Sequence, residues 1–301
     1  MRLTALVVTS LASAVLALPS ASCAHDTAPA HAVATPTTDD FGDTVSLAQP
    51  VTRIVSLNPS TTELLFAIGA GNRLVGRTTY DRWPQAALAV PDLGPGLRPN
   101  VEAVLAARPQ LVLLYASDDN RDAARRLRAA GVATAAYKLD RIADFARVTR
   151  VLGVLTGDTA AARVTIDSVD VTLNRVRAAT ASLPKPSVFY ALYDQPLLAV
   201  GGGSFLNELI DIAGGRNIYG TLTAPSPRIT TEDLLQKDPD VVLLAPESRA
   251  RYLADPRWRA MHAVRDNHLL GVDTNLVMRP GPRLGEAARS LALLLHPGAL
   301  P

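Results

Sequence analysis

Glu102 and Glu232 occupy matching places in two copies of one pattern, and they are the first residues that could do chemistry as a pair. Setting 101–114 against 231–244 aligns, without a gap, the glutamates, Leu105 with Leu235, Pro109 with Pro239 and the closing Val-Leu-Leu. Two carboxyl groups within about 5 to 10 Å can work as acid and base on one substrate. Farther apart, each can instead meet a cation on a partner. A glutamate in the first turn of a helix also complements the helix dipole, worth about 0.3 to 1 kcal/mol. The dipole accounts for each glutamate singly and leaves their symmetry unexplained.

Tyr80, Trp83, Tyr190 and Tyr193 stand beside strand ends, where open parallel sheets place ligand crevices. Arg228, in 225–228, and Arg279, in 278–283, sit in proline-stiffened loops suited to a pre-organised charged contact. The run Gly201-Gly202-Gly203-Ser204-Phe205 precedes a helix and could cradle a phosphate. It lacks the lysine of a P-loop and the following glycine of a nucleophile elbow, and a tight turn capped by Ser204 is the plainer reading. His25, His31, His262, His268 and His296 show no ligand spacing, so no metal site is expected. The one cysteine, Cys23, excludes an internal disulfide.

These residues need elements to hold them. Apolar runs at 54–57, 74–76, 111–115 and 132–137 read as strands, separated by helical patterns at 61–68, 101–107 and 121–130, with Gly69 and Gly131 at C-caps. The second half repeats the plan, with strands at 188–192, 197–200, 241–244 and 269–272 and helices at 206–213, 231–236 and 284–295. From 140 to 184 apolar residues recur at helical spacing with no proline before Pro184, which predicts one helix of about 40 residues, about 60 Å long. The fold class is therefore α/β: two Rossmann-like lobes with parallel sheets joined by one long rigid backbone helix. The bounds are an N-terminal lobe at 49–139, the connecting helix at 140–184 and a C-terminal lobe at 185–298. Such a connection predicts little closure between lobes.

The amino terminus reads as an address. Arg2, an apolar stretch too short to span a bilayer and the small residues 20–24 describe a secretory signal at 1–23. From 24 to 48 the Ala, Thr, Pro and Asp content reads as a flexible tether. Of the 301 residues 48% are hydrophobic and 19% charged, and the net charge is +2. That composition excludes disorder as the main state, and the absence of a basic stripe excludes nucleic acid as a partner.

The chain resembles the substrate-binding lipoproteins and periplasmic proteins of ABC importers for cobalamin, haem and ferric siderophores. The resemblance rests on 53–64, on 76–84, on 99–102 running into the first repeat, and on 204–218, and it covers about Arg53 to Leu295. It implies a monomeric, non-enzymatic binding protein of the periplasm or cell envelope that captures one bulky ligand between its lobes and delivers it to a permease dimer. One glutamate per lobe meets permease arginines in this family, and Glu102 and Glu232 fall on those positions. Cys23 falls where a lipobox cysteine would be lipidated, although Ser20 stands where such boxes carry leucine; ordinary signal cleavage stays open.

Within the family the chain looks most like the cobalamin binders, so the ligand implied is cobalamin or a related corrinoid, with haem or a ferric siderophore as the alternative. No cofactor is implied. Tyr80 and Trp83 match aromatic positions of the cleft, Asn275 and Arg279 a polar pair there. Tyr193 and Arg228 complete the ligand-binding set. Gly96 and Ser226 stand where cobalamin binders can carry tryptophan, and the 93–100 loop has neither Tyr nor His to serve as a haem axial ligand. An exported two-domain hydrolase or transferase using Glu102 or Glu232 is the reading from another class.

Overall fold

The computed structural model describes residues 37–299 apart from 46, 48 and 49. The signal at 1–23, Cys23 and the first part of the tether lie outside the described residues. The description opens with a short antiparallel hairpin, β1 (Thr37–Thr38) and β2 (Thr44–Val45). Here the expected tether is corrected, because this stretch is folded onto the N-terminal lobe. Asp39 is buried, and its carboxylate accepts hydrogen bonds from the backbone N–H groups of Phe41, Asp43 and Ala136. Asp40 takes a two-pronged contact from Arg147 at 3.0 and 2.9 Å. Composition suggested a loose chain, but two adjacent aspartates had defined partners far along the sequence.

The N-terminal sheet comprises β3 (Ile54–Ser56), β4 (Leu74–Gly76), β5 (Leu111–Tyr115) and β6 (Ala133–Tyr137), all parallel, in the order β4-β3-β5-β6. Helices α1 (Pro59–Ala67), α2 (Val101–Ala106) and α3 (Asp118–Ala129) make the crossovers. Asn58 starts α1 by accepting from the Ser60 N–H at 3.0 Å, and Pro59 occupies the first turn, where its missing donor costs nothing.

The stretch read as one 40-residue helix is two helices, α4 (Ile142–Thr156) and α5 (Thr159–Thr180). Gly157 between them adopts φ +78, a left-handed C-cap that glycine takes without penalty. Gly153 admits the close approach of Ala162, whose Cβ would lie 2.6 Å from an added methyl group. The chain therefore folds back as a hairpin, and apolar periodicity alone did not reveal the reversal. The helix that bridges the lobes is α5, about 33 Å long. Near its start the Thr165 hydroxyl is 3.5 Å from the Ala67 carbonyl, and at its end the Thr180 hydroxyl donates to the Ile212 carbonyl at 2.8 Å.

The C-terminal sheet holds β7 (Ser187–Asp194), β8 (Leu197–Ala199), β9 (Arg216–Asn217), β10 (Val241–Leu244) and β11 (Leu269–Gly271). Its helices are α6 (Phe205–Ile212), α7 (Thr231–Lys237), α8 (Arg249–Ala254), α9 (His262–Arg265), α10 (Thr274–Val277) and α11 (Leu284–Leu295). The order β11-β10-β7 repeats β6-β5-β3 of the first sheet. One strand departs from the parallel plan: β8 runs antiparallel to β7, because a connection of Gln195 and Pro196 can make only a hairpin.

Alternation along the strands divides the interior. Ile54, Leu111, Leu113, Val188, Tyr190 and Leu243 face one continuous core with α4, α5 and α11, shared by both lobes. Val55, Val112 and Leu114 face an outer N-lobe layer, and Phe189, Val242 and Leu244 an outer C-lobe layer. A core continuous from one sheet to the other ties the lobes through packed side chains, and densely packed interiors resist deformation.

Candidate functional site

The carboxyl ends of both sheets face a cleft. Residues 57–59 follow β3, residues 78–80 follow β4, Tyr115 ends β5, and Thr274 and Asn275 follow β11. Two adjoining cavities lie here. The first, about 430 Å³, is walled from the N-terminal lobe by Asn58, Ser60 and Tyr115 and from the C-terminal lobe by Thr274, Asn275 and Arg279. The second, about 350 Å³, is an apolar shelf of the N-terminal lobe formed by Leu57, Tyr80, Pro95, Gly96 and Leu97. Asn58, Pro59 and Tyr115 border both. Tyr115 donates its hydroxyl to Asp140 at 2.7 Å, and burial together with that carboxylate pushes its pKa far up, so the phenol stays protonated.

Beside the first cavity the lobes are joined by a buried charge cluster. Glu63, on α1, is 1% exposed and accepts from Arg283 Nε at 3.1 Å and Nη2 at 2.8 Å. Arg283 also donates to the Asn275 carbonyl at 2.9 Å and lies 4.5 Å over the Trp83 ring. Arg279 donates to the Tyr80 carbonyl at 2.7 Å, with its Nε 3.7 Å from Glu63. Burial raises the Glu63 carboxyl above its ordinary pKa, and the Arg283 and Arg279 contacts partly offset it. Asp81, 1% exposed, is raised by burial as well, against hydrogen bonds from Thr78.

Of the expected ligand-binding residues, Asn275 and Arg279 line the first cavity and Tyr80 the second. Trp83 borders neither and has one face under Arg283. Tyr193 is exposed and borders a third cavity of about 360 Å³ with Asp194, Glu247 and Arg251, at the ends of β7 and β10. Arg228 is exposed, pairs by backbone with Leu198 and lines none of these three cavities. Tyr190 is not at the cleft: β7 alternation turns it into the shared core, where it is 1% exposed. Asn58, Glu63, Tyr115 and Arg283 were not singled out as site residues. The sequence signal at Glu63 was an acid directly before the apolar pair Leu64-Leu65 of α1, and at Tyr115 a tyrosine closing an apolar strand.

Glu102 and Glu232 keep their equivalence in three dimensions. Each lies in a helical first turn behind a side-chain N-cap, Asn100 or Thr230. Each helix is followed by a left-handed residue, Arg108 at φ 48 or Asp238 at φ 41, before the aligned proline. Both glutamates are exposed, and Glu102 carries a 3.1 Å ion pair with Arg126.

The glycine run is a packing device. Methyl groups on Gly201, Gly202 and Gly203 would lie 1.9, 2.2 and 2.2 Å from the carbonyls of Ala224, Gly220 and Thr223. Gly201 and Gly202 spend their N–H groups on Pro225 and Leu222, and Ser204 caps α6 through the Leu206 N–H. Carbonyls crowd the place an anion would need. Among the described residues no group of three or more His, Cys, Asp and Glu is placed to hold a metal ion, and no helix is long and apolar enough to cross a membrane.

Two α/β lobes of like topology, bridged by a helix and facing each other across a cleft, define a bilobed binding protein. The chain belongs to the periplasmic binding protein family, whose model matches residues 54–276, a family of binding proteins and not of enzymes. It is 27% identical over 267 residues to an uncharacterized ABC transporter substrate-binding lipoprotein, YvrC, of Bacillus subtilis, covering 86% of this chain and 84% of that protein. It is 25% identical over 250 residues to the vitamin B12-binding protein of Vibrio cholerae, covering 82% and 90%. A periplasmic heme binding protein from Pseudomonas aeruginosa superposes with a TM-score of 0.73 at 26% identity, covering 82% of this chain and 94% of that one.

Proposed function

We propose that this protein is the exported substrate-binding component of an ABC importer, capturing cobalamin or a related corrinoid between its lobes. The carrying observation is the chemistry of the two cavities: an apolar shelf at Tyr80, Pro95 and Leu97 beside a rim of neutral donors and acceptors, Asn58, Ser60, Thr274 and Asn275. A broad, flat macrocycle fringed with carboxamides meets both halves, its face on the shelf and its amides on the rim. The vitamin B12-binding relative supports this choice.

Haem is the second reading, favoured by Arg279 at the wall, where a guanidinium suits a propionate. Against it, the 93–100 loop beside the second cavity offers neither tyrosine nor histidine as an axial ligand. Competition separates the readings. Cyanocobalamin should bind one to one and resist displacement by equimolar haemin or a ferric hydroxamate siderophore; displacement by either would reject the corrinoid.

Delivery follows from the two glutamates, which we assign to contacts with arginines on the two permease subunits, one per lobe. Lipidation of Cys23 would hold the monomer at the membrane surface of the periplasm or cell envelope. Tyr193 and Arg228 belong to the outer part of the ligand surface in this reading, and Trp83 contributes through Arg283.

A further inference from the structure

The Glu63 cluster joins the lobes at the wall of the first cavity: the contacts of Arg283 with Glu63 and Trp83, and of Arg279 with Glu63 and the Tyr80 carbonyl, cross from one lobe to the other. Arg283 and Arg279 come from the loop before α11; Glu63, Trp83 and the Tyr80 carbonyl belong to the N-terminal lobe. Arg283 is fully committed, to Glu63, to the Asn275 carbonyl and to the Trp83 ring. Arg279 is only partly committed and also lines the cavity. A buried carboxylate shared by two guanidiniums fixes both in direction, because leaving either charge unpaired away from water is costly.

We propose that Glu63 is a positioning residue: through Arg283 and Arg279 it sets the spacing of the lobes and aims the Arg279 guanidinium at the ligand. Glu63 touches no ligand in this scheme. When a transporter draws the lobes apart, the same contacts break, Arg279 withdraws from the cavity and the ligand loses a wall. The cleft side of the lobes is thus held by this buried contact, while the shared core ties them behind it. The proposal rests on the ligand site lying in this cleft.

Trp83 reports the cluster optically, since Arg283 lies on its ring and the chain has only one other tryptophan, Trp258, which packs on Tyr252. In a Trp258→Phe background, Glu63→Gln and Arg283→Leu should each shift Trp83 emission without ligand and weaken cyanocobalamin binding about tenfold or more. The double variant should be no weaker than the weaker single one, because both changes remove the same contact. Spin labels on Ala130→Cys and Gln236→Cys in a Cys23→Ser protein should give a longer or broader interlobe distance once Glu63→Gln is added. Unchanged emission and distance, or losses that simply add, would overturn the proposal. Arg283→Lys keeps the charge but loses the fork; it serves if Glu63→Gln does not fold, and wild-type emission and distance there would count against the proposal. Should cyanocobalamin not bind at all, the ligand reading fails, while emission and distance still decide the latch.

Discussion

Tyr80→Ala removes the ring of the apolar shelf while leaving the lobe contact intact, because Arg279 binds the Tyr80 backbone carbonyl and not its side chain. Tyr80 is 58% exposed. A tyrosine buries roughly 150 to 250 Å² when fully enclosed, so about 90 to 145 Å² is free and a flat ligand on one face covers about half of it. At roughly 25 cal/mol per Å² that is about 1 to 2 kcal/mol, or about 5- to 30-fold in Kd. The assay is calorimetric titration with cyanocobalamin on wild type, Tyr80→Ala and Tyr80→Phe, with melting temperatures to confirm equal folding. Tyr80→Phe should bind within about twofold of wild type, since the ring and not the hydroxyl makes the shelf. Wild-type affinity in Tyr80→Ala would place the ligand elsewhere, and an equal loss in Tyr80→Phe would show that the hydroxyl carries the contact.

Charge reversal at both docking positions, Glu102→Arg with Glu232→Arg, should abolish uptake by cells while leaving solution affinity for cyanocobalamin within about twofold; an equal fall in affinity would remove the two residues from a docking role. Arg126→Ala should leave the melting temperature almost unmoved, since an exposed ion pair contributes about 0 to 1 kcal/mol; a large drop would show that Arg126 supports the fold of α2 and α3. Asp240 accepts from the Ser187 N–H at 2.7 Å and hydroxyl at 2.6 Å, tying the starts of β7 and β10, and these bonds hold its carboxyl below the ordinary value of 3.8. A lowered carboxyl stabilises above its unfolded pKa and stops doing so as pH falls through the folded one. Asp240→Asn should therefore cost about 1 to 2 kcal/mol at pH 7, after allowance for solvent screening, with the difference shrinking below about pH 4; a deficit constant with pH would contradict this account.

Strands and crossovers were legible because parallel strands buried on both faces leave continuous apolar runs, as at 111–115 and 241–244. The internal repeat was legible for a related reason, since the cap, the glutamate, the left-handed residue and the proline each answer a local backbone need. Elements set by distant partners were not. Gly157 marks the hairpin between α4 and α5, yet a glycine in a helical pattern reads equally as a weak turn. Thr37 to Val45 resembles a tether until Ala136, Lys138 and Arg147 are placed around its aspartates.

The cleft was legible at its aromatic and proline-stiffened loops but not at its centre. Glu63 in a helix and Arg283 some 220 residues later carry no local signal of their pairing. Gly96 looked like a missing tryptophan; an added Cβ would lie 2.2 Å from the Leu57 carbonyl, so the backbone here admits no side chain.

The most direct test of the account is equilibrium dialysis of the wild-type protein against cyanocobalamin, read by its visible absorbance. One equivalent retained per protein is the predicted result. No retention at protein concentrations well above micromolar would contradict corrinoid capture and turn the cleft over to haem or a siderophore, with the fold and the lobe contact unaffected.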